Sequence, residues 1–217
     1  MATVSALGIL GGSFNPPHLG HLALARAAAS ELALERVLLV PVFLPPHKPP
    51  AADDPGPMHR LAMCKALVAG VERVEASTLE IDRGGRSYTI DTLEAVHASQ
   101  PAAELNLILG ADMACTLPSW RRPRDIVRLA GVAVAERGPG WEEAEGGGSR
   151  ERVATVLHAL DPEARIAVLS MPPVDVSSTM VRTRLAEGGA WKELVGPAVA
   201  SYIVEHRLYG AHKAVVR

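Results

Sequence analysis

Eleven residues near the start of the chain, Gly11-Gly12-Ser13-Phe14-Asn15-Pro16-Pro17-His18-Leu19-Gly20-His21, constrain the fold more tightly than any other stretch. Ahead of them, Ala6-Leu7-Gly8-Ile9-Leu10 is an apolar run of the length a buried strand needs. Behind them, Leu22, Ala25, Ala29, Leu32 and Ala33 recur at roughly helical spacing and draw one apolar stripe. The stretch is therefore a strand-to-helix turn, with glycines where the backbone must bend and approach something closely. Two prolines stiffen its middle and two histidines stand at its exit.

Such a turn suits an anion. Paired glycines let a phosphate come near backbone N–H groups, and the helix that follows presents its positive end there. His18 and His21 are three residues apart, so on a first helical turn they face the same way. Two imidazoles aimed at one anion donate to phosphate oxygens, more strongly when protonated. An isolated H-x-x-H is more often a decorated turn than a site, but eleven consecutive residues need one explanation.

The stretch resembles the nucleotidyltransferase signature G-G-[ST]-F-[DN]-P-x-H-x-G-H, and within that superfamily the sequence is similar to the bacterial nicotinate-nucleotide adenylyltransferases. Asn15 stands where Asp is commoner; either side chain can bond local backbone in a turn, so the departure reads as tolerated. A second segment, Asp175-Val176-Ser177-Ser178-Thr179-Met180-Val181-Arg182, carries S-S-T-x-x-R. Ser177 or Ser178 is well placed as a helix N-cap. Arg182 stands over the positive end of that helix, the wrong place for a cation unless an anion neutralises both. The pattern resembles the superfamily's second signature, which grips the β- and γ-phosphates of ATP.

Between the signatures, strand and helix patterns alternate. Val37 to Pro41, Leu105 to Leu109, Gly131 to Ala135 and Ile166 to Leu169 read as parallel strands. Val74 to Ile81 reads as extended, closed by a turn at Asp82-Arg83-Gly84-Gly85, with Glu80 and Asp82 as solvated charges. Helices are expected at 58–69, from about 86 onward, at 125–129, at 150–160 and at 198–208. The proline-rich stretch 42–57 is a loop leaving a strand end, where open α/β sheets bind ligands. Residues 141–149, rich in Glu and Gly, read as a flexible surface loop. The expectation is a single doubly wound, mostly parallel sheet with helices on both faces. One domain spans 1–210, with Tyr209 and the basic tail, 211–217, peripheral to it.

The resemblance implies a role for each motif. The turn formed by Gly11, Gly12, Ser13 and Phe14 would bind ATP, together with Asp112 on a ribose hydroxyl, Arg137 beside the adenosine, and Ser177, Ser178 and Thr179. Lys48, Tyr88, Thr89 and Trp120 would bind nicotinate mononucleotide: Lys48 facing its phosphate, the backbone near Thr89 its ring carboxylate, and the Trp120 indole stacking on the pyridine. His18, His21 and Arg182 would be catalytic. No metal-ligating set is expected, and Mg²⁺ would ride mainly on ATP phosphates. A nicotinamide-preferring enzyme, another member of the superfamily, or a non-catalytic nucleotide-binding regulator are the rival readings; the last has little use for His18, His21 and Arg182 together.

Composition bounds the partners. A net charge of -2 gives no footprint for nucleic acid. No apolar run reaches the length of a membrane span and no export signal is visible, so a cytoplasmic protein is expected. Cys64 and Cys115 have no metal-ligand spacing and read as reduced thiols inside helices.

Overall fold

The computed structural model describes residues 5–46, 51–135, 149–171 and 174–215. The chain order is β1 (Ala6–Gly12), α1 (Leu19–Glu31), β2 (Arg36–Pro41), α2 (Pro57–Val68), β3 (Val74–Ala76), α3 (Leu79–Arg83), α4 (Thr89–Ser99) and β4 (Glu104–Gly110). It continues with α5 (Ala111–Thr116), α6 (Pro123–Leu129), β5 (Ala130–Ala135), α7 (Ser149–Leu160), β6 (Ile166–Leu169), α8 (Ser178–Ala186), α9 (Lys192–Val195) and α10 (Pro197–Glu205). Short 3-10 segments cover Leu117–Ser119 and Leu208–Val215.

All six strands pair in parallel, in the order β3-β2-β1-β4-β5-β6. The period-two alternation of a strand divides its side chains between two cores. Val37 and Leu39 of β2 and Ile108 of β4 meet α1, α2, α8 and α10 on one face. Leu7 and Ile9 of β1, Leu107 and Leu109 of β4 and Val132 and Val134 of β5 meet α4, α5, α6 and α7 on the other. With both faces covered, these strands are apolar runs, as they read in the sequence. Gly8 allows the close fit on the first face, since a Cβ there would lie 2.8 Å from both Ile108 Cδ1 and Leu34 Cδ1.

The chain winds outward from β1 in one direction through β2 and β3, and from β4 in the other through β5 and β6. The winding reverses between β1 and β4, and at such a switch point the strand ends leave a crevice. Two sequence expectations change. The extended stretch from Val74 stops at Ala76, and residues 79–83 form a helix that buries Glu80. Ala33 is exposed beyond the end of α1, in left-handed backbone, rather than on its apolar stripe. Among the described residues no helix is long and apolar enough to cross a membrane.

Candidate active site

A cavity of about 470 Å³ opens at that switch point. Gly11, Gly12 and Ser13 line it from the end of β1, Leu107 and Leu109 from β4, and Val42, Pro45 and Pro46 from the loop after β2. Tyr88, Thr89, Trp120 and Arg121 line it too, so the motifs read as acceptor-binding share one cavity with the glycine turn. The two loops are joined at Ser87: Phe43 N–H donates to the Ser87 side-chain Oγ (2.9 Å) and Ser87 N–H to Leu44 O (3.0 Å). That clamp sets Tyr88 at the N-cap of α4 and Thr89 at its first position, with no side chain capping the helix. Trp120 is half-buried, and its indole N–H donates to Thr116 Oγ1 (3.1 Å).

The glycines act differently from the sequence reading. Gly11 and Gly12 are the last residues of β1 with strand backbone; the positive φ, 48°, falls on Phe14. A Cβ on Gly11 would meet nothing within 4 Å, so glycine there leaves open space over the backbone on the cavity wall. Phe14 itself is buried in the first core, and its ring meets His21 edge-on at 4.8 Å. It therefore packs its ring against the histidine.

His18 is the N-cap of α1 and is buried, with His21 one turn on. Their rings stack at 3.6 Å, and His18 N–H donates to His21 Nδ1 (3.2 Å), so the two imidazoles face the same way as the spacing requires. The second signature is pinned against the same turn. Ser178 Oγ donates to Pro16 O (2.8 Å), Arg182 Nη1 donates to Asn15 O (2.6 Å), and Ser177 is the N-cap whose Oγ accepts from Met180 N–H (3.1 Å). Thr179 Oγ1 lies 3.5 Å from Arg182 Nη2. Segments more than 160 residues apart are thus tied together next to the glycine turn, although His18, His21, Ser178 and Arg182 are not among the residues that line the cavity itself. Arg182 also pairs with Asp53 (3.1 Å), so a carboxylate already answers the cation over this helix end.

Several residues that hold the site escaped sequence reading. Arg60 is the largest fully buried side chain. It donates to Ser13 O (2.9 Å), Val42 O (2.7 Å), Phe43 O (3.2 Å) and Asp54 Oδ1 (3.1 Å), tying the glycine turn to the acceptor loop. The visible signal is a charged residue on the apolar face of α2, one turn from Cys64 and two from Leu67. Tyr209 is not peripheral: its hydroxyl donates to Asn15 Oδ1 (2.7 Å). Burial, and then Asp54, push its phenol above the ordinary tyrosine range, which keeps it a donor. Glu80 lines the cavity with its carboxyl buried, accepting from Thr92 Oγ1 (2.6 Å). Burial pushes that carboxyl up further than the Ser87 and Thr92 hydroxyls and Arg83 pull it down.

The structure places the remaining residues as follows. Asp112 is exposed in the first turn of α5, whose N-cap is Gly110. Lys48, Arg137 and the stretch 141–148 lie outside the described residues. Cys64 is buried, and burial raises its thiol pKa, which suits the structural reading.

Residues 9–184 match the cytidylyltransferase-like protein family. A protein of Synechococcus sp. (strain JA-3-3Ab), named a probable nicotinate-nucleotide adenylyltransferase, is 40% identical over 203 residues, covering 94% of either chain. One of the same name from Laribacter hongkongensis is 40% identical over 210 residues, again covering 94% of each. Among solved structures, the Plasmodium falciparum nicotinic acid mononucleotide adenylyltransferase complexed with NaAD superposes with a TM-score of 0.75. It is 18% identical, covering 95% of this chain and 98% of its own.

Proposed function

Because the chain belongs to the nicotinate-nucleotide adenylyltransferase family of cytidylyltransferase-like proteins, an enzyme family of NAD biosynthesis, we propose that its switch-point cavity joins ATP to nicotinate mononucleotide, giving deamido-NAD and pyrophosphate. The observation that carries this is the shared wall: Gly11 to Ser13 of the phosphate turn line the same cavity as Tyr88, Thr89 and Trp120. Two nucleotides bound there meet phosphate to phosphate.

The chemistry needs no protein nucleophile. An oxygen of the acceptor phosphate, already an anion, attacks the α-phosphorus of ATP. The new P–O bond forms as the bond to the α,β-bridging oxygen breaks, and pyrophosphate leaves with that electron pair. The protein's part is in-line positioning and neutralisation of charge. His18 and His21 donate to the α- and β-phosphates as negative charge builds there. Arg182 leaves Asp53 to hold the leaving pyrophosphate, beside Ser178 and Thr179 at the start of α8. The described residues gather no trio of carboxylate, imidazole or thiol groups. Mg²⁺ would ride mainly on the ATP phosphates and would offset their charge there.

Trp120 stacks the pyridine ring, and the unfilled N-terminus of α4 at Thr89 faces its carboxylate with N–H donors. Lys48 meets the acceptor phosphate, while Asp112 and Arg137 meet the ATP side. Pyrophosphate release with MgATP and each candidate acceptor tests the reading. Nicotinate mononucleotide should exceed its amide by at least about tenfold in efficiency, since one mispaired buried polar group costs about 1–3 kcal/mol. Phosphopantetheine and glycerol 3-phosphate should be inert. Release with either of these and with no pyridine mononucleotide would overturn the assignment.

A further inference from the structure

Arg121 follows Trp120 directly and lines the cavity beside Tyr88 and Thr89. Its guanidinium carbon lies 4.7 Å from the centroid of the Tyr88 ring, so the cation is held on an aromatic face that itself walls the cavity. The carboxylate nearest to it, Asp91, is 3.9 Å away, beyond hydrogen-bond length. Among the described residues the guanidinium makes no hydrogen bond, which leaves its planar fork of N–H donors available.

The rest of the wall makes the same demand. Tyr88, the ring beneath the guanidinium, is the N-cap of α4, whose first N–H groups have no side-chain acceptor. Glu80, the one acidic residue among the described lining residues, is bonded to Thr92, and burial raises its carboxyl pKa above the ordinary glutamate range. Donors therefore line the same cavity as Trp120, on which a flat ring would stack.

We propose that Arg121 is a specificity-determining residue, whose guanidinium donates to the ring carboxylate of the acceptor mononucleotide and so selects the acid over the amide. This rests on the reaction proposed above. A carboxylate accepts two parallel N–H bonds from a guanidinium and meets its charge. A carboxamide offers one oxygen, carries no charge, and turns its own NH₂ toward other donors. Lysine would keep the charge without the fork.

Steady-state kinetics at saturating MgATP decide the matter, with wild type, Arg121→Ala and Arg121→Lys and both pyridine mononucleotides. Arg121 is exposed, so the variants should fold normally. Arg121→Ala should lose about tenfold or more in kcat/KM with nicotinate mononucleotide, mostly through KM, where each tenfold is about 1.4 kcal/mol. Its efficiency with nicotinamide mononucleotide should fall several-fold less, so that the preference for the acid narrows. Arg121→Lys should recover part of the preference, and the wild-type preference should shrink as salt is raised. Equal losses with both mononucleotides would mean that Arg121 merely steadies Tyr88, and an unaltered preference would remove it from recognition; either overturns the proposal. Wild-type protein inactive with both mononucleotides would instead refute the reaction, and this assignment with it.

Discussion

Replacing Arg60 by methionine should destabilise the protein more than any other single change at the site. The guanidinium is buried and makes four bonds, three of them to backbone carbonyls of Ser13, Val42 and Phe43, and one to Asp54. Methionine can fill much of the volume of the stem but donates nothing. Asp54, itself nine-tenths buried, keeps among the described residues the Gly56 N–H (2.8 Å) on Oδ1 but loses its cation. Removing one partner of a buried ion pair costs about 3–5 kcal/mol, because the other charge stays desolvated. For a chain of this length each kcal/mol lowers the melting temperature by about 2–4 °C, so a fall of roughly 6–20 °C is expected. Urea unfolding and a calorimetric scan measure it. A double-mutant cycle with Asp54→Asn should return a favourable coupling between the two side chains. At a temperature where both proteins are folded, Arg60→Met should also turn over more slowly, since the Ser13 turn and the Val42–Phe43 segment of the loop after β2 lose their common tie. A loss below about 1 kcal/mol, the worth of an exposed pair, would refute the view that Arg60 braces the site.

Other consequences follow from the same geometry. His18→Ala and His21→Ala should each lower turnover by about 10²–10³ while binding of MgATP measured by calorimetry weakens far less, as expected for donors aimed at developing charge. Arg182→Ala should raise the KM for ATP and slow turnover with little effect on mononucleotide affinity, whereas Asp53→Asn should tighten ATP by removing the carboxylate that occupies Arg182 in the empty site; equal weakening of both substrates by Arg182→Ala would assign that residue to the fold. Glu80 has a folded-state pKa above its unfolded value, so its contribution to stability is present at low pH and is lost as pH rises through the folded value. Glu80→Gln should accordingly gain stability relative to wild type on titration upward from the ordinary glutamate range, and a difference that moves in favour of wild type over that range would contradict the assignment.

The sheet was legible because its signals are local. Apolar runs such as Val37 to Pro41 and Gly131 to Ala135 need both faces covered, and the glycine turn between Leu10 and Leu22 can only join a strand to a helix. The residues proposed to meet phosphates were legible for the same reason: His18 with His21, and Ser177 with Arg182, lie close together in sequence at the starts of two helices. What sequence could not supply is contact at a distance. Tyr209 reaches Asn15 from the far end of the chain, and Asp53 reaches Arg182 from the loop before α2. Both bonds depend on tertiary packing, which no local pattern encodes. Glu80 was misread because Val74 to Ile81 suits a strand by propensity, and tertiary context ended that strand at Ala76. The direction of the Phe14 ring was equally illegible, because the signature names the residue alone; in left-handed backbone that ring turns into the core.

The central claim is direct adenylyl transfer between two bound nucleotides, with no covalent enzyme intermediate. The stereochemical course at the α-phosphorus tests it most directly. With ATP made chiral at that phosphorus by a single sulfur substitution, and with nicotinate mononucleotide as acceptor, one in-line displacement by the acceptor phosphate inverts the centre. The expected result is a deamido-dinucleotide of inverted configuration, formed with one pyrophosphate released per turnover. Retention would require two successive displacements, through an adenylylated side chain or an equivalent intermediate. That outcome would contradict the account, in which His18, His21 and Arg182 only position and neutralise.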